Sequence, residues 1–227
     1  MPVKTVRIEI YSDLICPWCY IGQHRLHDGL KLLGDGFRSD IIWRPFQLNP
    51  DMPKEGMDRK TYRTLKFGSW QRSQALDSEI ADTGESLGLK FNYDRVRITP
   101  NTLAGHRLLW WARAQGRQDA LARALFHAYF TKGKDIGQAE VLAETAAIVG
   151  FDQSEAVTFL KSEDGCQEVA HEEALARRSG LNGVPFFIIN GTPAVSGAQK
   201  PQTFLEAFRY ALGGNTRPRG TDSCEIR

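Results

Sequence analysis

Cys16 and Cys19 bracket two residues in the run Cys16-Pro17-Trp18-Cys19. At that spacing one thiolate can attack a disulfide and the other can displace the product from the mixed disulfide, which is the chemistry of thiol–disulfide exchange. Upstream, Val6, Ile8 and Ile10 alternate with polar Arg7 and Glu9, the period of a half-buried strand. Downstream, Tyr20, Gln23, Leu26, Leu30 and Leu33 recur at helical spacing. Cys16 is therefore expected at a helix N-terminus, with Pro17 at the first helical position, where a missing N–H costs little. Unpaired backbone N–H groups and the positive end of the helix dipole point at such a sulfur and favour its thiolate, the nucleophilic form. Cys19 falls one turn on, in reach of a mixed disulfide at Cys16. These expectations assign nucleophilic attack to Cys16, as the more exposed thiol, and resolution to Cys19.

The other two cysteines, Cys166 and Cys224, are single and scattered, too few for a structural disulfide framework. A zinc site would need a second ligand pair, and none is present at a typical spacing, so no metal is expected. Cys166 is read first as a small packing residue. Cys224 lies close enough to the last helix to span about 40 Å if extended, within reach of Cys16 or of a neighbouring molecule. Across 227 residues the 29 Lys and Arg nearly balance the 27 Asp and Glu, for a net charge of +2. This gives no argument for a nucleic-acid partner. No apolar stretch has the length of a membrane span, so no membrane partner is expected either. The N-terminus enters a strand without an apolar signal region, which places the protein in the cytoplasm.

The elements that must position the pair follow from the patterning. Residues 1–50 read strand, helix, strand, with Gly34-Asp35-Gly36 stopping the helix and Ile41, Ile42, Trp43 and Phe46 forming the second strand. This suggests a βαβ unit with parallel strands. Residues 51–180 are helical in period, with helices expected over 61–87, 102–115, 119–131, 138–149, 153–161 and 165–179. Asn101 and Asp152 precede two of them as caps, and Gly116 and Gly150 close two more. Trp110, Trp111, Phe126, Tyr129 and Phe130 are read as the core of this segment. Met52 to Gly56 is a loop. Strands return over 184–189 and 192–195 around Asn190-Gly191, a strong hairpin signal, and a last helix covers 201–212. Residues 181–213 complete the first domain, and 214–227 read as a flexible tail. The fold class is α/β: a thioredoxin-like fold with a large all-helical insertion.

Five stretches carry a resemblance. They are Tyr11-Ser12-Asp13-Leu14-Ile15-Cys16-Pro17-Trp18-Cys19-Tyr20-Ile21-Gly22, Trp43-Arg44-Pro45-Phe46-Gln47-Leu48, Asn101-Thr102 with His106-Arg107-Leu108, Gly183-Val184-Pro185-Phe186-Phe187, and Val195-Ser196-Gly197-Ala198-Gln199. Through them the chain resembles the DsbA family of thioredoxin-fold oxidoreductases, and more narrowly its FrnE-like subgroup. The resemblance implies that the Val184-Pro185 bond is cis and faces the cysteine pair. It also implies that the Val184 backbone is open to pair with an extended substrate segment, with Pro17 and Trp18 beside it. His106 reads first as a structural histidine, and as a cleft-lining substrate contact, with Asn101, if the helical segment covers the Cys16 face. His24, His27, His127 and His171 have no partner visible in sequence.

Classical thioredoxins, and the periplasmic enzyme that names the family, carry a buried acid six residues before the first cysteine, and the chain departs from them there. Here that position is Ile10, so proton handling must come from Asp13, Glu9 or solvent. The resulting expectation is a thiol–disulfide oxidoreductase acting on protein or small-molecule thiols and disulfides, with no metal or organic cofactor. Glutathione or a thioredoxin-like reductant is the expected redox partner. Two rivals remain. One is a glutathione-dependent isomerase or transferase, as in the related 2-hydroxychromene-2-carboxylate isomerases and kappa-class glutathione transferases. The other is a chaperone-like binding role without catalysis.

Overall fold

The alternation of Val6, Ile8 and Ile10 becomes β1 (Lys4–Ser12), one of the two inner strands of a four-stranded sheet among the described residues, in which it lies between β2 (Phe37–Pro45) and β5 (Phe186–Ile189), with β6 (Thr192–Ser196) beyond β5. The structure is a computed structural model and describes residues 4–214. The expected tail, Gly214 apart, and Cys224 within it lie outside the described residues. The chain divides into two units. One is the chain up to Phe46 together with the chain from Glu172 onward, and the other is Gln47–His171.

In the first unit, α1 (Pro17–Leu33) crosses from β1 to β2 (Phe37–Pro45), which runs parallel to β1 from Lys4↔Phe37 to Ser12↔Pro45. The βαβ reading thus holds, and β2 starts earlier than its apolar run because its exposed first residues complete the ladder. After the second unit the chain returns as β5 (Phe186–Ile189), antiparallel to β1, then β6 (Thr192–Ser196), antiparallel to β5, and a last helix, α9 (Pro201–Ala211). The hairpin turns at Asn190-Gly191, both with positive φ, 48° and 79°. Asn190 also ties the turn down. Its Oδ1 accepts from Arg7 N at 2.9 Å, and its Nδ2 donates to Ala211 O at 3.1 Å.

One face of the sheet carries Val6, Ile8, Ile10 and Ser12 from β1 with Phe187 and Ile189 from β5, all buried. Phe204 of α9 meets Phe187 edge-to-face at 4.8 Å. A Cβ built on Gly29 of α1 would lie 2.7 Å from Phe204 Cβ, so the two helices approach as closely as a missing side chain allows. The opposite face carries Glu9 and Tyr11. Arg44 of β2 is bonded there to Glu9 (2.7 Å) and Glu172 (2.7 Å), and the Arg177 guanidinium lies 4.2 Å from the Phe46 ring centroid. Glu172 and Arg177 belong to α8 (Cys166–Arg178), within which the division between units falls.

The second unit is helical. It contains α2 (Arg59–Phe67), α3 (Trp70–Glu85), α4 (Leu103–Arg113), α5 (Gln118–Phe126), α6 (Ala139–Ile148) and α7 (Gln153–Lys161), with the start of α8. Leu108, Leu121, Leu125, Phe126, Phe130, Leu142 and Ala146 form its core. Tyr129 is buried with them, whereas Trp110 and Trp111 are only half-buried. Trp111 stacks on Phe159 at 5.5 Å. Both tryptophans line an open surface cavity of about 810 Å³.

Three details differ from the sequence expectation. The helix expected over 61–87 is two helices, because Gly68 takes the left-handed conformation (φ 85°) and Ser69 Oγ accepts from Arg72 N at 3.1 Å to cap a new one. The helix expected to run to residue 131 turns π-helical over His127–Thr131. A two-residue ladder, β3 (Met57–Asp58) with β4 (Ile98–Thr99), had no detectable period.

Candidate active site

Cys16 terminates the loop after β1. Its N–H donates to Asp13 O at 3.0 Å, and its extended backbone (φ −85°, ψ 113°) makes it the N-cap of α1, with Pro17 at the first helical position. Its own carbonyl accepts from Cys19 N at 3.0 Å and Tyr20 N at 3.3 Å, which closes the first turn. The sequence therefore puts the pair where strand-to-helix geometry holds Cys19 one turn behind Cys16. Both are free thiols. Both are also enclosed, Cys16 at 5 % exposure and Cys19 at 1 %, so the expected contrast in exposure is small. Trp18, between them, is 38 % exposed.

The second wall of the site comes from far along the chain. The Cys16 Sγ lies 3.7 Å from Val184 O, in hydrogen-bonding range for a thiol. The Val184–Pro185 peptide is cis, and Pro185 is buried. Pro185 O accepts from Gly197 N at 2.8 Å. The loop after β6 is then fixed to α1 by Arg25, whose Nη1 donates to Ala198 O at 2.5 Å, and Gln199 Nε2 closes it onto Ser196 O at 3.0 Å. Burial lowers the pKa of Arg25. Gly22 completes the fit. A Cβ there would stand 2.9 Å from Pro185 Cγ and 3.3 Å from Phe187 Cζ. Gly22 lies three residues after Cys19 and hence on the same helix face. A glycine at that spacing inside an amphipathic helix was the available sequence signal, and Arg25 had none.

The environment of Cys19 is specific. Burial is the largest influence and pushes its thiol well above the usual range. The neighbouring Cys16 sulfur pushes the same way. The Ser12 side chain and the Asp13 backbone act in the opposite sense and offset this only in part. Of the two acids considered for proton handling, Asp13 is buried in the loop between β1 and α1. Glu9 lies on the other face of β1, bonded to Arg44.

His106 and Asn101 belong to the other unit. His106 is buried on α4, at 4 % exposure. Both ends of the Asn101 amide are used within that unit: Oδ1 accepts from Leu103 N at 2.9 Å and Nδ2 donates to Met52 O at 2.6 Å. Neighbouring Arg107 holds the loop before α8 through the carbonyls of Ser162 (2.6 Å) and Asp164 (2.9 Å). Cys166 lies 3.5 Å from Glu163 Oε2, and burial raises its pKa. Among the described residues no group of three or more His, Cys, Asp or Glu side chains is placed to hold a metal ion. Among those residues, too, no helix is long and apolar enough to cross a membrane.

Comparison with known proteins covers nearly the whole chain. The family model described as the DSBA-like thioredoxin domain matches residues 7–209. A crystal structure of a probable DsbA oxidoreductase from Streptomyces coelicolor is 32 % identical, with a TM-score of 0.84 over 93 % of this chain and 92 % of that one. The uncharacterized protein YwbO of Bacillus subtilis is 27 % identical over 210 residues, 90 % of this chain and 96 % of that one. The cytosolic disulfide reductase DsbM of Pseudomonas aeruginosa, in a structure with GSH, shares the fold at 17 % identity. Its TM-score is 0.59 over 91 % of this chain and 96 % of that one.

Proposed function

The chain belongs to the DsbA-like thioredoxin domain family, and on that premise we propose that it is a thiol–disulfide oxidoreductase working through Cys16 and Cys19. The observation that carries the reading is the pair of free thiols at the head of α1, with Cys16 Sγ 3.7 Å from the Val184 carbonyl. In the proposed reaction the Cys16 thiolate attacks a substrate disulfide, forming a mixed disulfide and releasing one thiolate. Cys19 then attacks the Cys16 sulfur, which closes the Cys16–Cys19 disulfide and releases the second thiol. The reverse order oxidises a substrate dithiol. An extended substrate segment would lie against the Val184 backbone, beside Pro185, with Pro17 and exposed Trp18 flanking its cysteine.

As written, the reaction uses no metal or organic cofactor. Glutathione is the proposed co-substrate, a choice supported by the fold shared with the Pseudomonas protein seen with GSH, and the proposed setting is the cytoplasm, as for that cytosolic protein. Two intact thiols favour exchange over glutathione-dependent isomerisation, because a glutathione thiolate held at Cys16 would be captured as a disulfide. The test is exchange against a disulfide substrate in a glutathione redox buffer, which also yields the reduction potential of the pair. Cys16→Ser should abolish exchange. Cys19→Ser should accumulate a glutathione adduct on Cys16, visible by mass. Exchange that survives in the double variant would overturn the proposal.

A further inference from the structure

The first turns of α2 carry the wrong charge for their end of a helix. A helix N-terminus is positive and favours carboxylates, yet α2 opens with Arg59-Lys60 and its first turn holds no acidic residue. Asp58, the N-cap, is exposed and is engaged by the Thr61 N–H and hydroxyl, both at 2.8 Å. Arg63 follows four residues after Arg59, a spacing at which like charges repel. Arg59 is 6 % exposed and the Arg63 side chain 13 %, and the two share one carboxylate: Asp77 accepts from Nη2 of each at 2.7 Å. This trio is enclosed with one positive charge in excess, and burial lowers the pKa of Arg63 even with Asp77 beside it. An enclosed charge without a counter-ion is costly.

Beside the trio is space for that counter-ion. Arg59 lines a cavity of about 710 Å³ built wholly from the helical unit, with Trp70, Asp77, Phe91 and Tyr93 also in its walls. The Arg59 guanidinium lies 4.8 Å from the Tyr93 ring centroid and 5.8 Å from that of Trp70, so aromatic rings hold it in place. Among the described residues its side chain donates to Asp77 through Nη2, which leaves the Nε and Nη1 hydrogens unengaged. Exposed Lys60, Arg95 and Arg97 line the cavity with exposed Asp58 and Asp94, so its rim leans positive as well. We propose that this cavity is a binding site for a small aromatic carboxylate, whose anionic head meets the free N–H groups of Arg59 and whose ring lies against Trp70 and Phe91. One negative charge balances the excess of the trio, which selects a monoanion. The half-buried aromatic lining selects a flat apolar body. The site does not depend on the exchange reading, since none of its residues belongs to the unit that bears Cys16 and Cys19.

The experiment is thermal melting of the full chain at neutral pH in sodium benzoate, against sodium chloride of the same ionic strength. Benzamide serves as the uncharged analogue. At about ten times the dissociation constant found by isothermal titration, benzoate should raise Tm by about 3–6 °C for a chain of this size. Benzamide at the same concentration should raise it by less than about 1 °C. Arg59→Met leaves Arg63 and Asp77 as a neutral pair. In chloride it should therefore melt within about 5 °C of the parent, a smaller fall than a broken buried ion pair would give, and it should lose the benzoate response. Arg59→Lys keeps the charge but not the planar fork, and should retain at most about half of the response. It carries the test if the methionine variant does not fold. A parental Tm that ignores benzoate would overturn the site, as would an equal rise with benzamide or a full benzoate response in either variant. A methionine variant that folds but melts further below the parent in chloride would refute the excess charge on which the site rests.

Discussion

Adding one methyl group at Gly22 should slow exchange while leaving the cysteine pair chemically intact. In Gly22→Ala the new carbon would lie 2.9 Å from Pro185 Cγ, 3.3 Å from Phe187 Cζ and 3.5 Å from Ala198 Cα. Carbon contacts are comfortable near 3.5–4.0 Å, so α1 and the Val184–Pro185 loop must separate by roughly half an ångström or more. The Cys16 thiol bonds to that loop at 3.7 Å, and separation weakens the bond directly. Overpacking of this kind costs about 1–3 kcal/mol. Alanine returns about 1 kcal/mol through helix propensity, which leaves a net loss of about 0–2 kcal/mol. For a chain of this size that is a fall in Tm of up to about 8 °C. The control is Gly29→Ala on the same helix, where the carbon would meet Phe204 Cβ at 2.7 Å and Pro201 O at 3.1 Å. It should destabilise more, since neither neighbour is the far end of a flexible side chain, yet leave the exchange rate per folded molecule near the parental value. Both variants are compared by thermal melting and by exchange with a glutathione disulfide. A Gly22→Ala variant that melts and exchanges like the parent would show that α1 does not press on the loop in this way. Equal rate losses in both variants would show that general loosening, rather than the Gly22 contact, sets the rate.

Iodoacetamide near neutral pH should label Cys16 before Cys19, because burial and the adjacent Cys16 sulfur hold the Cys19 thiol well up. Peptide mapping that finds Cys19 modified first would reverse the assignment of roles. In the helical unit, Asp77 is bonded to both Arg59 and Arg63 at 2.7 Å and is 7 % exposed. Asp77→Asn should cost about 3–5 kcal/mol by leaving two guanidinium groups enclosed without their counter-ion, and a melting temperature equal to the parent's would refute it. Asp152 caps α7, and hydrogen bonds from the Ser154 side chain and the Glu155 N–H hold its carboxyl below the ordinary 3.8. A depressed folded value means that its stabilisation is present above the unfolded pKa and disappears as pH falls through the folded one. The gap in Tm between the parent and Asp152→Ala should therefore hold from neutral pH to about 4 and narrow only below that. A gap that stays constant down to pH 2 would contradict it.

The parts legible in the sequence were those written in short-range code. The period of two over Val6 to Ile10, the proline after Cys16, the Asn190-Gly191 turn and the Asp152 cap each need only a few neighbouring residues to state their meaning. Each appears in the structure as a strand, a helix start, a hairpin and a cap. The break at Gly68-Ser69 was written in the same code, as a left-handed glycine followed by an N-cap, but the apolar period running through it hid the signal. The π-helical turn at His127–Thr131 has no such code, since its residues are as compatible with an α-helix.

The sequence by itself thus determined the chemistry on offer: two thiols at one helix head, and apolar Ile10 six residues before the first of them. The tertiary structure decided what surrounds them. Val184 is 168 residues from Cys16, and Ala198 is 173 from Arg25. No local pattern encodes such meetings, because they depend on β5 pairing with β1 and on α1 lying close to the loop after β6. The same holds for Ser12. In the sequence it is one hydroxyl among many. The strand register turns it inward, and only the packing around β1 encloses it. Periodicity says which way a side chain faces, whereas the group it faces follows only from how the elements pack.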